Sequence, residues 1–141
     1  MAIKPFYSNG RWKTEKAFID FLEQSEKVEW WFKNGDRDAF FAVPYDNGEK
    51  KPFYVDFIVK ITDGRIGLFD TKSGFTQKLA GPKSDGLFKY IQNENKKEGK
   101  LFGGIVANTE PKNYRGRWVY FDKMSKELKD NDFSKWVNLV L

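Results

Sequence analysis

FYVDFIVKITDGRIGLFDTKSG, residues 53–74, decides how this chain is read: two apolar runs are joined by an Asp-Gly turn, and acids stand inside the runs. Asp56 lies within the first run, residues 53–61, while Asp70 and Lys72 close the second, residues 65–72. Charged side chains are seldom buried unless they are paired or hold something, so these three ask for a role. Side chains alternate along a strand, which puts Asp70 and Lys72 on one face and Thr71 on the other. The register of the first strand depends on the turn. A two-residue loop, Asp63-Gly64, would pair Thr62 with Arg65 and set Asp56 opposite Thr71. A three-residue loop, Thr62-Asp63-Gly64, built on a type I turn with Gly64 in the left-handed region, pairs Ile61 with Arg65. Asp56 then faces Asp70, and Tyr54 faces Lys72. The second register is the one expected.

Directly opposed residues have Cβ atoms about 4.5–5.5 Å apart, so two facing carboxylates repel and one takes up a proton unless a cation lies between them. A divalent metal removes the conflict, with Lys72 beside it. Carboxylates, a backbone carbonyl and water are the donors Mg²⁺ prefers, and the carbonyl of Thr71 is near.

Composition narrows the chemistry further. The 141 residues suffice for one domain with a real core, residues 1–141, and 5 Trp, 6 Tyr and 14 Phe supply aromatic packing. There is no Cys and no His. Disulfides, thiolate zinc sites, cysteine nucleophiles, Ser-His-Asp chemistry and imidazole metal ligands are therefore excluded, leaving carboxylates, Lys, Tyr or Ser with an oxygen-ligated metal. The net charge of +5 suits a polyanionic partner, though many soluble domains are this basic. No apolar run reaches the ~20 residues of a membrane span and MAIKPFYSNG has no signal-peptide core, so a cytoplasmic location is expected.

Outward from the central stretch, residues 11–24 have a helical pattern with Trp12, Phe18, Ile19 and Leu22 on one stripe. Glu15 falls at the centre of that stripe, either reaching water from the first turn or aimed inward at a polar site. Residues 27–33 and 38–45 read as strands; the pair Trp30-Trp31 suits sheet-face packing better than base stacking. Residues 73–83 form a loop leaving the acids, and Ser84 or Asp85 caps a helix to about residue 97, with Leu87, Phe88, Tyr90 and Ile91 inward. Through that crossover, a strand at residues 101–107 runs parallel to residues 65–72. Residues 117–122 form a further strand, and short helical pieces lead to WVNLVL.

The acid-x-Lys triplet recurs at Glu49, Glu94, Glu98, Glu110 and Glu127, where a solvated charge pair explains it. Only Asp70-Thr71-Lys72 ends an apolar strand paired with a second acid-bearing strand. The ordered set Glu15, Asp56 and Asp70-Thr71-Lys72 resembles the PD-(D/E)xK nuclease superfamily, whose α/β core is a restriction-endonuclease-like αβββαβ arrangement with a mixed sheet flanked by helices. Within it, VEWWFKNGD, YVDFIV and GRIGLFDTKSG are similar to the C-terminal endonuclease domain of type III restriction enzyme Res subunits. The likeness covers most of residues 11–107. Val55 stands where the family usually has Pro, and no G-x-x-x-x-G-K-[ST] is present, so the chain is expected to be an excised or stand-alone nuclease domain without an ATP site.

The resemblance implies a DNA endonuclease of a restriction-modification system, using Mg²⁺ or Mn²⁺. Asp56, Asp70 and the Thr71 carbonyl would hold the metal, Glu15 would reach it through water or hold a second ion, and Lys72 would position the nucleophile or stabilise charge. Lys78 and Lys83, in the loop leaving the site, are candidates for DNA phosphate contact. A helicase motor and a methyltransferase subunit are the implied partners. The alternative is a non-catalytic domain of the same fold that binds DNA or docks a subunit.

Overall fold

The computed structural model describes residues 10–34, 41–46, 50–72, 77–130 and 132–141. Chain order is helix α1 (Gly10–Glu23), strands β1 (Val28–Lys33), β2 (Val43–Asp46), β3 (Lys50–Phe53), β4 (Phe57–Ile61) and β5 (Ile66–Thr71), helix α2 (Gln77–Asn95), then strands β6 (Leu101–Asn108), β7 (Trp118–Phe121) and β8 (Val137–Asn138). A six-stranded sheet has the order β1-β4-β5-β6-β7-β8, and β2 pairs with β3 in a separate hairpin. Only β5 and β6 are parallel, joined through α2; the other pairs in the sheet are antiparallel. With the β2–β3 hairpin set aside, α1-β1-β4-β5-α2-β6 reads α-β-β-β-α-β. This is a mixed α/β fold, consistent with a general restriction-endonuclease-like topology.

The central turn has the three-residue form. Gly64 adopts φ +98°, its N–H donates to Ile61 O at 3.0 Å, and the Ile61 N–H donates to Arg65 O at 3.0 Å. Asp63 accepts from the Arg65 N–H and from its Nε, both at 3.0 Å. The backbone bond holds the Asp63 carboxyl below the ordinary carboxylate range, despite slight desolvation. Phe57 pairs with Phe69 and Lys60 with Ile66, the register that carries Asp56 toward Asp70.

Alternation along β4 and β5 sends residues to two cores. Phe57, Val59 and Phe69 join Phe18 and Leu22 of α1 and Trp118 of β7. The Phe18 ring meets Phe57, Phe69 and Trp118 at 5.2, 5.7 and 5.1 Å between centroids, each near edge-on, the arrangement ring quadrupoles favour. On the opposite face Leu68 packs with Leu87 of α2, and Ile105 with Ala80 and Phe121. Gly103 of β6 has φ +123°, and a Cβ there would lie 2.2 Å from Leu68 O, so only glycine lets β6 approach β5.

Several expectations need correction. Residues 53–61 are not one strand: β3 ends at Phe53, Tyr54–Asp56 form a break, and β4 begins at Phe57. The break resets the alternation, so Phe53 and Val55 lie with Leu68 and Leu87 rather than with Phe57. Tyr54 has no ladder partner in β5, because β4 has stopped before it. Of the expected strand at residues 38–45, residues 38–40 lie outside the described residues, and Val43–Asp46 pairs with β3 instead of joining the main sheet.

The second helix starts at Gln77, well before Ser84, with Pro82 inside it. Its inward stripe of Ala80, Ser84 and Leu87 extends upstream of the expected cap, and burial of that stripe outweighs the bond lost at proline. Asp85 is no cap there: its carboxylate accepts from the Ser125 N–H at 2.6 Å and hydroxyl at 2.7 Å, fixing a 3₁₀ turn at Ser125–Glu127. In the tail, Val137–Asn138 is a strand edge rather than helix. The tryptophan pair divides: Trp31 packs 6.1 Å from Phe57, while Trp30 of the edge strand is 45% exposed. Among the described residues no helix is long and apolar enough to cross a membrane.

Candidate functional site

Asp56 is the last residue of the break and directly precedes β4. Its Oδ2 accepts the Thr71 N–H and the Thr71 hydroxyl, each at 2.9 Å. It is 2% exposed, and Asp70 is 5% exposed. The two carboxyls sit close enough to hydrogen bond, and Asp70 is pushed up to about 7. Burial is the main cause and the neighbouring Asp56 charge the second, with Lys72 opposing both. The Lys72 Nζ lies 3.1 Å from Asp70 Oδ2, as the shared strand face requires.

The direction of the Thr71 carbonyl follows from its own peptide. The Lys72 N–H donates to Val106 O at 2.9 Å. The C=O and N–H of one trans peptide point in opposite directions, so the Thr71 carbonyl is turned away from β6, toward the β4 side where Asp56 lies. Two adjoining buried carboxylates and this carbonyl are the oxygen atoms that could hold a hard cation such as Mg²⁺, which commonly keeps water in its remaining positions.

Glu15 is buried at 5% exposure, not solvated, but it belongs to a different pair. Its Oε1 lies 2.8 Å from the Nζ of Lys33, at the end of β1. Lys33 is opposite Phe57, on the α1 side of the sheet, whereas Asp70 shares the parity of Leu68 on the α2 side. Among the described residues no group of three acidic side chains is spaced to hold a metal ion. Asp56, Asp70, Thr71 and Lys72 are thus brought together, and Glu15 is paired separately with Lys33.

The candidate phosphate contacts differ in what can be said. Lys83 lies on α2, not in a loop, with its Nζ 5.3 Å from the centroid of the Phe53 ring. The backbone of Lys78 is also in α2, and its side chain lies outside the described residues.

Two buried-site partners, Lys33 of Glu15 and Asn34 of the Asp56 backbone, carry no signal in the sequence. Lys33 ends a strand as many lysines do. Asn34 is 3% exposed, and its Nδ2 donates to Phe41 O at 2.8 Å and Val55 O at 3.1 Å. No local pattern distinguishes such an Asn from a turn former, because its partners lie 7 and 21 residues away.

No family model, no curated protein and no solved structure matches the chain.

Proposed function

We propose that the chain is a Mg²⁺-dependent DNA endonuclease domain, similar to the PD-(D/E)xK nucleases and to the Res subunit of type III restriction enzymes, hydrolysing phosphodiester bonds. One observation carries the reading: buried Asp56 and Asp70 adjoin at the ends of neighbouring antiparallel strands, with the Lys72 ammonium on Asp70. Asp56, Asp70 and the Thr71 carbonyl would hold Mg²⁺ or Mn²⁺, which when bound lowers the pKa of water and offsets phosphate charge. The Lys72 ammonium would orient the attacking water or stabilise charge on the phosphate. Glu15, paired with Lys33, would reach the ion through water or hold a second one. Lys78 and Lys83 are the proposed phosphate contacts, and a helicase motor and a methyltransferase subunit the proposed partners.

A supercoiled plasmid tests this directly. Mg²⁺-dependent nicking by the purified chain should disappear in Asp70→Asn and Asp56→Asn, and nicking that survives Asp70→Asn refutes the assignment. One observation favours a second reading, a non-catalytic DNA-binding or subunit-docking domain: Asp56 is already satisfied by Thr71, and Glu15 by Lys33. Saturable Mn²⁺ binding that Asp70→Asn abolishes separates the two, since only the enzyme reading requires it.

A further inference from the structure

The break at Tyr54–Asp56 leaves backbone groups that no strand ladder satisfies, and Asn34 answers for them. Its N–H donates to Asp56 O at 2.8 Å. Its two amide protons are both used, on Phe41 O and Val55 O. Asn34 therefore ties the end of β1 to the segment entering β2 and to the residues just before β4. Its Oδ1 is buried and has no hydrogen-bond partner among the described residues. Buried polar atoms are nearly always paired, so an amide that leaves its own oxygen unpaired is kept for its donors.

Asp56 lies one residue beyond Val55 and outside β4, so the ladder alone does not determine where its carboxylate goes. We propose that Asn34 is the positioning residue of the acid pair: by clamping Val55 O and Phe41 O with its side-chain amide, beside the backbone bond to Asp56 O, it holds the Asp56 carboxylate on Thr71 and against Asp70. Removing the side-chain amide releases Val55 O and loosens the break while the backbone bond to Asp56 O stays, and Oδ2 of Asp56 then leaves the Thr71 N–H more often. The consequence for metal affinity rests on the nuclease reading; the consequence for Thr71 does not.

Amide hydrogen exchange followed by NMR tests the clamp without metal. In the unaltered chain the Asn34 side-chain amide protons should exchange well below the rate of those of exposed Asn93, and equal rates overturn the proposal. In Asn34→Ala, Thr71 should exchange at least ten-fold faster while Lys72, bonded to Val106 O, keeps its rate. Unchanged Thr71 protection overturns the proposal. Asp85→Ala, which loses only the Ser125 turn, should leave Thr71 alone, so a general loosening of the fold is told apart from release of Asp56. Should Asn34→Ala fail to fold, Asn34→Ser is read the same way, beside the measurement on the unaltered chain. By calorimetric titration in EDTA-stripped buffer, Mn²⁺ affinity should fall by about 10- to 100-fold in Asn34→Ala, the usual effect of removing a group that orients a metal ligand. An unaltered chain that binds no Mn²⁺ overturns the nuclease reading, and Thr71 exchange then decides the positioning role by itself.

Discussion

Replacing Asp70 by Asn should stabilise the metal-free protein at alkaline pH. Folding raises the Asp70 carboxyl from 3.8 to about 7, chiefly through burial and then through the charge of Asp56. Between those values the folded state holds a proton that the unfolded state has released, so stability falls as pH rises. The stabilisation is complete below about pH 4 and gone above about pH 7. At ~1.4 kcal/mol per pH unit the whole effect is on the order of 4 kcal/mol, of which about 2–3 kcal/mol is lost between pH 5 and pH 8. Asparagine removes this dependence and loses the Lys72 ion pair, which at 30% exposure of the lysine is worth roughly 1 kcal/mol or less. Urea denaturation in EDTA should therefore show the unaltered chain losing stability from pH 5 to pH 8 while Asp70→Asn changes by much less. At pH 8, Mg²⁺ should raise the stability of the former and leave the latter unmoved. Parallel pH profiles for the two proteins would refute the reasoning, because they would mean that Asp70 titrates normally in the folded state.

Three other outcomes are expected. Phe18→Ala, which empties the point where Phe57, Phe69 and Trp118 converge, should cost about 3–5 kcal/mol in urea denaturation. Gly103→Ala should lower the melting temperature sharply or prevent folding, seen by circular dichroism, since its Cβ would meet Leu68 O at 2.2 Å in a backbone conformation that L-residues avoid. Glu15→Gln should change Mn²⁺ affinity far less than Asp70→Asn in the same calorimetric titration, because the Glu15 carboxylate is engaged by Lys33 rather than by the acid pair.

Local sequence was enough for the turn chemistry and for parity within unbroken strands; across the break at residues 54–56 parity failed, and Phe53 and Val55 lie on the opposite side from Phe57. The three-residue turn with Gly64 sets the register, and with it the approach of Asp56 to Asp70; alternation alone puts Lys72 on the Asp70 side. The absence of His and Cys restricts the chemistry to oxygen ligands and lysine in any fold. What depends on distant partners was not legible. The break at Tyr54–Asp56 is held by Asn34, 21 residues before Val55, and no strand propensity in YVDFIV announces it. The partner of Glu15 follows from α1 packing over the end of β1, which is why burial of Glu15 could be expected and Lys33 could not. The early start of α2 comes from Ala80 and Leu87 finding the sheet despite Pro82. Sequence patterning thus determined which residues share a face within an unbroken strand, because that follows from backbone geometry within a few residues. Tertiary structure decided which charges meet across elements, because burial and packing between distant segments choose among partners that local geometry leaves equivalent.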